Sequence, residues 1–351
     1  MNSAAVQPGW DDPDDSWDPD EATLRSGSVS GSGSEIAAAG PEDIQADEFE
    51  TSDFDAESIS QFGSVASTIY RHAYENGRRN REDIKHVAFL ELTRGKYFFS
   101  PIGDYPQKII DLGTGTGAWA IEVAEMFPSA EVVGCDLSPI QPLWVPSNVT
   151  FIIDDIADEW AHGDDWDLVH IRQRYCSAPL VQRGTLAVQT NYQVSEPSRI
   201  PHIRPGGWIE IQEYGGIIKC DDGTMPADSL VVRFFELIGE ALAKRGAQWT
   251  VANDIQEHLL QAGFVNIQCK KFKCPIGTWP KAKRLRLIGL YMKPVISELF
   301  DGLAPRMFQA LEKSPKQMED FLTGAQNELH TTNAHMYVDY FMWYAQKAPV
   351  G

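Results

Sequence analysis

The sequence has little that would suit it to a membrane, an oxidising compartment or a nucleic acid. No stretch reaches the about 18 consecutive apolar residues that span a bilayer. The N-terminus, MNSAAVQPGWDDPDDSWDPD, has neither the basic nor the apolar region of a secretion signal. Five cysteines, Cys135, Cys176, Cys220, Cys269 and Cys274, are odd in number and form no CxxC pair, so neither a disulfide framework nor a zinc site is expected. A reducing compartment, cytoplasm or nucleus, fits this usage. Basic residues are scarce as well. A net charge of −20 repels nucleic-acid phosphates and anionic lipids, which excludes a general electrostatic grip on either. The densest basic cluster, WPKAKRLR with Lys281, Lys283, Arg284 and Arg286, reads as a solvated helix face.

The acidity sits at one end. Residues 1–60 hold sixteen acids against Arg25 alone, which accounts for −15 of the total. Asp-Pro repeats and the run SGSVSGSGS complete a composition too poor in apolar surface to offset the entropy of ordering, so residues 1–57 are expected to form a disordered, solvating tail. A domain spanning residues 58–351 is expected to follow. It begins with two helical patterns, SISQFGSVASTIYRHAYENGRR and EDIKHVAFLELTRGKYF.

Strands and helices then alternate. Strand patterns fall at 108–112, 131–136, 149–154, 166–171, 207–214, 265–275 and 335–347, and the first leads into the helical TGAWAIEVAEMFP, which Pro128 ends. Short apolar strands separated by helices argue for a doubly wound α/β fold with both sheet faces covered. Amphipathic stretches at 226–262 and 281–329 add helices that read as a lid, with Met292, Met307 and Phe308 in its core.

The chemistry is concentrated in IIDLGTGTGA, residues 109–118. A glycine-rich turn from strand to helix lets a ligand approach the main chain and offers it free N–H groups. The pattern Asp111-x-Gly113-x-Gly115-x-Gly117 differs in spacing from the dinucleotide fingerprint G-x-G-x-x-G. Asp136 ends the second strand, where a carboxylate can accept both hydroxyls of a ribose. Asp154 and Asp155 end the third, where one can accept an adenine amine. Three successive strand ends therefore fit a cofactor made of an amino acid, a ribose and an adenine.

Through IIDLGTGTGAWAIEVAEMFP, EVVGCDLSP and VTFIIDDIADEW the chain resembles the class I S-adenosylmethionine-dependent methyltransferases. YENGRR, RPGGWIEIQEY, GTWPKAKRLRLIG and YFMWYAQK narrow the likeness to the fungal methyltransferases related to the secondary-metabolism regulator LaeA. The resemblance spans about residues 64–349. It implies a Rossmann-like, seven-stranded sheet whose last strand inserts antiparallel. It also implies that Asp111 and the backbone of Gly113, Gly115 and Gly117 hold the methionine moiety, Asp136 the ribose, and Asp154 or Asp155 with Ile156 the adenine. Tyr74 and Arg78 are implied to close over the methionine carboxylate.

With S-adenosylmethionine as donor, the protein must chiefly align a nucleophile and exclude water. His170, at the end of the fourth strand, is the candidate general base, the alternative being a histidine that packs beside the cofactor. The sequence has no Asn-Pro-Pro-Tyr run after that strand, no Pro-Cys pair and no carboxylate set for a metal, so a small molecule or a protein side chain remains as the acceptor. A regulatory subunit that binds protein partners is the second reading. The polar, proline-punctuated residues 176–204 depart from the relatives and read as either a lineage-specific loop over the acceptor site or a gene-model error.

Overall fold

Isoleucine and valine pairs ahead of the acidic strand ends point alternately to two faces, and both faces are covered. In the computed structural model, which describes residues 80–156, 162–173, 202–244, 252 and 254–349, Ile109 packs into one apolar cluster and Ile110 into another on the opposite side. The expected tail, the first expected helix with Tyr74 and Arg78, and residues 174–201 lie outside the described residues.

The chain order is α1 (Asn80–Leu92), β1 (Lys108–Leu112), α2 (Ala118–Met126), β2 (Glu131–Asp136), β3 (Val149–Ile153), β4 (Trp166–Arg172), β5 (Ile203–Lys219), α3 (Leu230–Ala243), α4 (Ile255–Gln261), β6 (Phe264–Pro275), α5 (Lys283–Ala310), α6 (Pro315–Thr331) and β7 (Tyr337–Lys347). The strands form one sheet in the order β3-β2-β1-β4-β5-β7-β6. Pairing is parallel from β3 to β5, and β7 runs antiparallel between β5 and β6. After β1 the chain winds outward through β2 and β3, then returns to place β4 on the other side of β1. That reversal opens a crevice at the carboxyl ends of β1 and β4, where open α/β sheets bind ligands.

Two boundaries differ from the sequence expectation. β5 starts at Ile203 rather than 207, because Ile203 pairs with Trp166 while Trp208 pairs with Leu168, leaving the Pro205–Gly206 stretch as a bulge that keeps the strand continuous. α1 stops at Leu92 instead of running to Phe98: Arg94 and Gly95 take φ of 55° and 80°, and Gly95 N–H donates to the Leu90 carbonyl at 2.7 Å.

Of the late helices, α3, α5 and α6 pack over one face of the sheet, whereas α4, expected in the lid, buries Ile255 and Leu259 in the cluster that holds Ile110. Phe234, Ile288, Met292, Phe300, Met307 and Phe308 are all buried in the cluster that joins α3, α5 and α6 to β5–β7. α5 passes through Pro294 and Pro305, and α6 opens with a complete Ser314–Gln317 capping box. The basic cluster at the start of α5 is not simply solvated. Arg284 Nη1 donates to the Glu91 carbonyl at 2.9 Å, placing a cation at the negative end of α1. The described cysteines, Cys135, Cys220, Cys269 and Cys274, are free thiols. Among the described residues no helix is long and apolar enough to cross a membrane.

Candidate active site

The crevice is a cavity of about 500 Å³. Its polar end is built by the loops after β1 and β2. Gly113, Gly115 and Gly117 adopt φ of 82°, 59° and 83°, conformations that β-carbons oppose, and together they turn the chain from β1 into α2. Among the described residues, none beyond its chain neighbours has an atom within 4 Å of where a Gly115 Cβ would stand, so this loop leaves room for a ligand against its main chain. Gly117 has a different reason. An added Cβ would stand 2.3 Å from the Phe151 ring, which supports the loop from β3.

Asp136 borders the same end. Its Oδ2 accepts from Gly115 N–H at 2.9 Å and its Oδ1 from Ser138 N–H at 3.0 Å, so each oxygen retains acceptor capacity for a ribose hydroxyl. Gln141 Nε2 ties the two loops together by donating to the carbonyls of Gly115 at 2.6 Å and Ser138 at 2.9 Å. From α1, Asp83 accepts from the Thr116 hydroxyl at 2.7 Å, while Glu82 and Lys85 line the cleft. These residues fit a nucleoside cofactor bearing an amino-acid portion.

Asp111 and His170 lie beneath this floor. They are register partners on β1 and β4, and His170 Nδ1 lies 2.7 Å from Asp111 Oδ1. Burial pushes the Asp111 carboxyl up, but the hydrogen bond and charge of His170 outweigh it and hold the group below the usual carboxylate range. The His170 ring is fully buried and stacks on Trp119 at 3.7 Å and 3°. Its Nε2 has no hydrogen-bond partner among the described residues. Neither side chain belongs to the described cleft lining. The expected base is therefore set under α2, without an open path to an acceptor in the cleft. Asp154 and Asp155 stand at the end of β3, where Asp154 Oδ2 lies 3.3 Å from His162 Nε2, and Ile156 packs on the core below; none of the three is among the described lining residues.

Instead, β4 presents Arg172 and Gln173 to the cleft. Arg172 shares a face with His170 but is two residues further on, past the cover of Trp119. Its Nη2 lies 3.0 Å from His86 Nδ1, and the opposite nitrogen, Nε2, lies 2.7 Å from Glu122 Oε2. A guanidinium only donates, so His86 must accept at Nδ1 and carry its proton on Nε2, facing Glu122. Burial lowers the His86 pKa despite the pull of Glu122, consistent with that neutral tautomer.

This arrangement has a consequence for acid stability. With the folded pKa of His86 below its ordinary 6.5, the unfolded chain binds the extra proton first, so the stability it contributes is complete above pH 6.5 and declines as pH falls. Glu122, also held low, adds its loss below its ordinary 4.5. In urea melts between pH 7.5 and 5, His86→Gln should flatten the decline; slopes identical to wild type would contradict the buried neutral histidine.

The other end of the cleft is mainly apolar: Phe89, Tyr214, Phe235, Ile296, Leu299 and Val338 line it, contributed by α1, α3, α5, β5 and β7, with Glu298 of α5 also in the lining. Sequence analysis located α3 and α5 within a lid but not the faces they turn inward. Arg172 had one legible signal, a charged residue directly after a buried strand in VHIRQ.

A glycine-floored cofactor cleft at the switch point of a seven-stranded sheet with β7 inserted antiparallel is the architecture of class I methyltransferases. A family model described as a methyltransferase domain matches residues 84–268. The chain is 31% identical over 318 residues to the methyltransferase pytC of Aspergillus terreus, covering 84% of this chain and 95% of that protein. It is 33% identical over 285 residues to the secondary metabolism regulator laeA of Aspergillus fumigatus, covering 77% and 72%. With the regulator LAE1 of Cochliobolus heterostrophus it shares 29% identity over 290 residues, covering 80% and 90%. The chain belongs to this methyltransferase family, whose methyl donor is S-adenosylmethionine.

Proposed function

We propose that the chain transfers the methyl group of S-adenosylmethionine to a small molecule of fungal secondary metabolism. The observation that carries this reading is the single cleft that joins a polar, glycine-floored end to an apolar one. The first suits the cofactor. The second suits an organic acceptor drawn out of water beside it. In this reading the glycine loop holds the methionine moiety, with Tyr74 and Arg78 closing over its carboxylate. Asp136 holds the ribose, and Asp154 or Asp155 with Ile156 holds the adenine. Asp111 and His170 brace the loop from below.

Transfer of labelled methyl from S-adenosylmethionine into extract fractions tests the activity. Label should enter a small-molecule fraction with wild type and not with Gly115→Asp; label in a protein fraction would make the acceptor a side chain. His170→Asn keeps a donor for Asp111 and removes the basic Nε2. Its turnover should fall no further than its cofactor affinity. A loss of about 10²–10⁴-fold at unchanged affinity would make His170 the general base after all.

A second reading is supported by the relatives named as secondary metabolism regulators. Here the cofactor-binding fold acts within a regulatory complex through a protein partner, in the nucleus rather than the cytoplasm. A cellular phenotype abolished by Gly115→Asp without any methylated acceptor would favour it.

A further inference from the structure

Within the cleft, Arg172 stands between the two ends. It is half-buried, it lies 5.7 Å from the centre of the Phe89 ring, and among the described residues it has no carboxylate partner. Its one polar contact is the neutral His86 ring, which Glu122 holds from behind. A guanidinium withdrawn from water is ordinarily matched by an anion. Here His86 fixes its position, while the carboxylates of Glu122 and Asp111 act on it through space without touching it.

Gln173 follows it. Its backbone is held at φ 53° by donation of its N–H to the Gln212 carbonyl at 2.9 Å, a conformation unusual for a residue with a side chain. Its amide nitrogen is buried and turned toward the Tyr340 hydroxyl, so it is not offered to a ligand. The end of β4 thus sets the Arg172 guanidinium directly against the apolar wall of Phe89, Tyr214 and Val338. A strained strand end that carries a guanidinium without a carboxylate contact suits a ligand oxygen.

We propose that Arg172 forms an oxyanion-recognition site for the acceptor, which is an apolar small molecule carrying a carboxylate or comparably acidic oxygen. The inference rests on the methyltransferase reading and specifies its substrate class. Glu122 and His86 are positioning residues: they aim the guanidinium, and they do not touch the acceptor. The apolar body of the ligand occupies the compartment under α5, and its charge, not its shape, sets its direction in the cleft.

The test uses two probes of the same shape, 2-naphthoate and the neutral 2-naphthamide, titrated calorimetrically into the full chain saturated with S-adenosylhomocysteine. Wild type should bind naphthoate at least about tenfold more tightly than the amide, the scale of one charge-assisted hydrogen-bond pair. Arg172→Gln should erase that preference while leaving S-adenosylhomocysteine affinity within about twofold. Arg172→Lys, which keeps the charge but not the planar fork, should retain part of it and serves if the glutamine variant does not fold. Glu122→Gln should weaken naphthoate binding while the amide is unaffected, a split that a general loss of structure would not produce. Equal affinity for the two probes, binding of neither, or a preference that survives both Arg172 variants would overturn the proposal. So would a loss of S-adenosylhomocysteine affinity at Arg172→Gln with the naphthoate preference intact, which would assign the guanidinium to the cofactor's carboxylate. Failure of wild type to bind S-adenosylhomocysteine would count against the methyltransferase reading itself, separately from the acceptor site.

Discussion

Glu210→Ala is expected to be severely destabilising, lowering the folding free energy by roughly 3–5 kcal/mol. Glu210 is fully buried on β5. Its Oε2 accepts from Phe99 N–H at 2.8 Å, Ser100 N–H at 2.8 Å and the Ser100 hydroxyl at 2.7 Å, and its Oε1 accepts from Gln212 Nε2 at 2.9 Å. Alanine leaves four donors without an acceptor in a place that water reaches poorly. The damage should extend to the site, since the same segment supplies the Tyr97 carbonyl that accepts from Trp119 Nε1 at 2.9 Å, and Trp119 covers His170. Glu210→Gln keeps one oxygen for the three donors of residues 99 and 100 and should cost much less. Denaturant melts that place alanine and glutamine within 1 kcal/mol of each other, to about the precision of such melts, would show that the network carries little energy.

Gly117→Ala should be nearly as costly, and for a reason that separates it from its neighbour Gly115. The new Cβ would meet Phe151 Cζ at 2.3 Å and Cε1 at 2.7 Å, and the same ring already lies so close to Gly134 that a Cβ there would stand 2.6 Å from it. Crowding of this kind adds about 1–3 kcal/mol to the about 1–2 kcal/mol that a left-handed conformation costs a residue with a Cβ. A fall in Tm of roughly 5–15 °C follows for a domain of this size. Gly115→Ala pays only the conformational part, because no described residue beyond its chain neighbours stands within 4 Å of its Cβ position, yet the substitution falls in the loop proposed to hold the cofactor. The expected pattern is a large stability loss at 117 and a large affinity loss at 115. Reversal of that pattern would contradict the placement of the loop.

Most of this framework was legible beforehand, and the reason is local. KIIDL, EVVGCD and WDLVHI are short, β-branched and closed by polar residues, so their strand character and boundaries follow from propensity and pattern alone. The glycines were legible because positive φ leaves few other choices. What the residues could not disclose was direction. His170 and Arg172 occupy the same face of β4, and which of them reaches the cleft depends on where Trp119 of α2 comes to rest, a contact between segments some fifty residues apart in the chain. The acidic strand ends are alike in this respect. Asp111 and Asp136 look equivalent as residues, but the first is turned beneath the sheet end by His170 and the second outward by the N–H groups of Gly115 and Ser138. The bulge that lengthens β5 likewise depends on its neighbour β4 rather than on its own sequence.

The central claim is that the cleft between the glycine loop and Asp136 holds the nucleoside end of S-adenosylmethionine. Calorimetric titration of S-adenosylhomocysteine into the full wild-type chain and into Asp136→Ala tests it most directly. One-site binding to wild type, weakened in the variant by about 1–3 kcal/mol through the unmatched ribose hydroxyls, is the expected result. No binding to wild type, or the same affinity in both proteins, would contradict it.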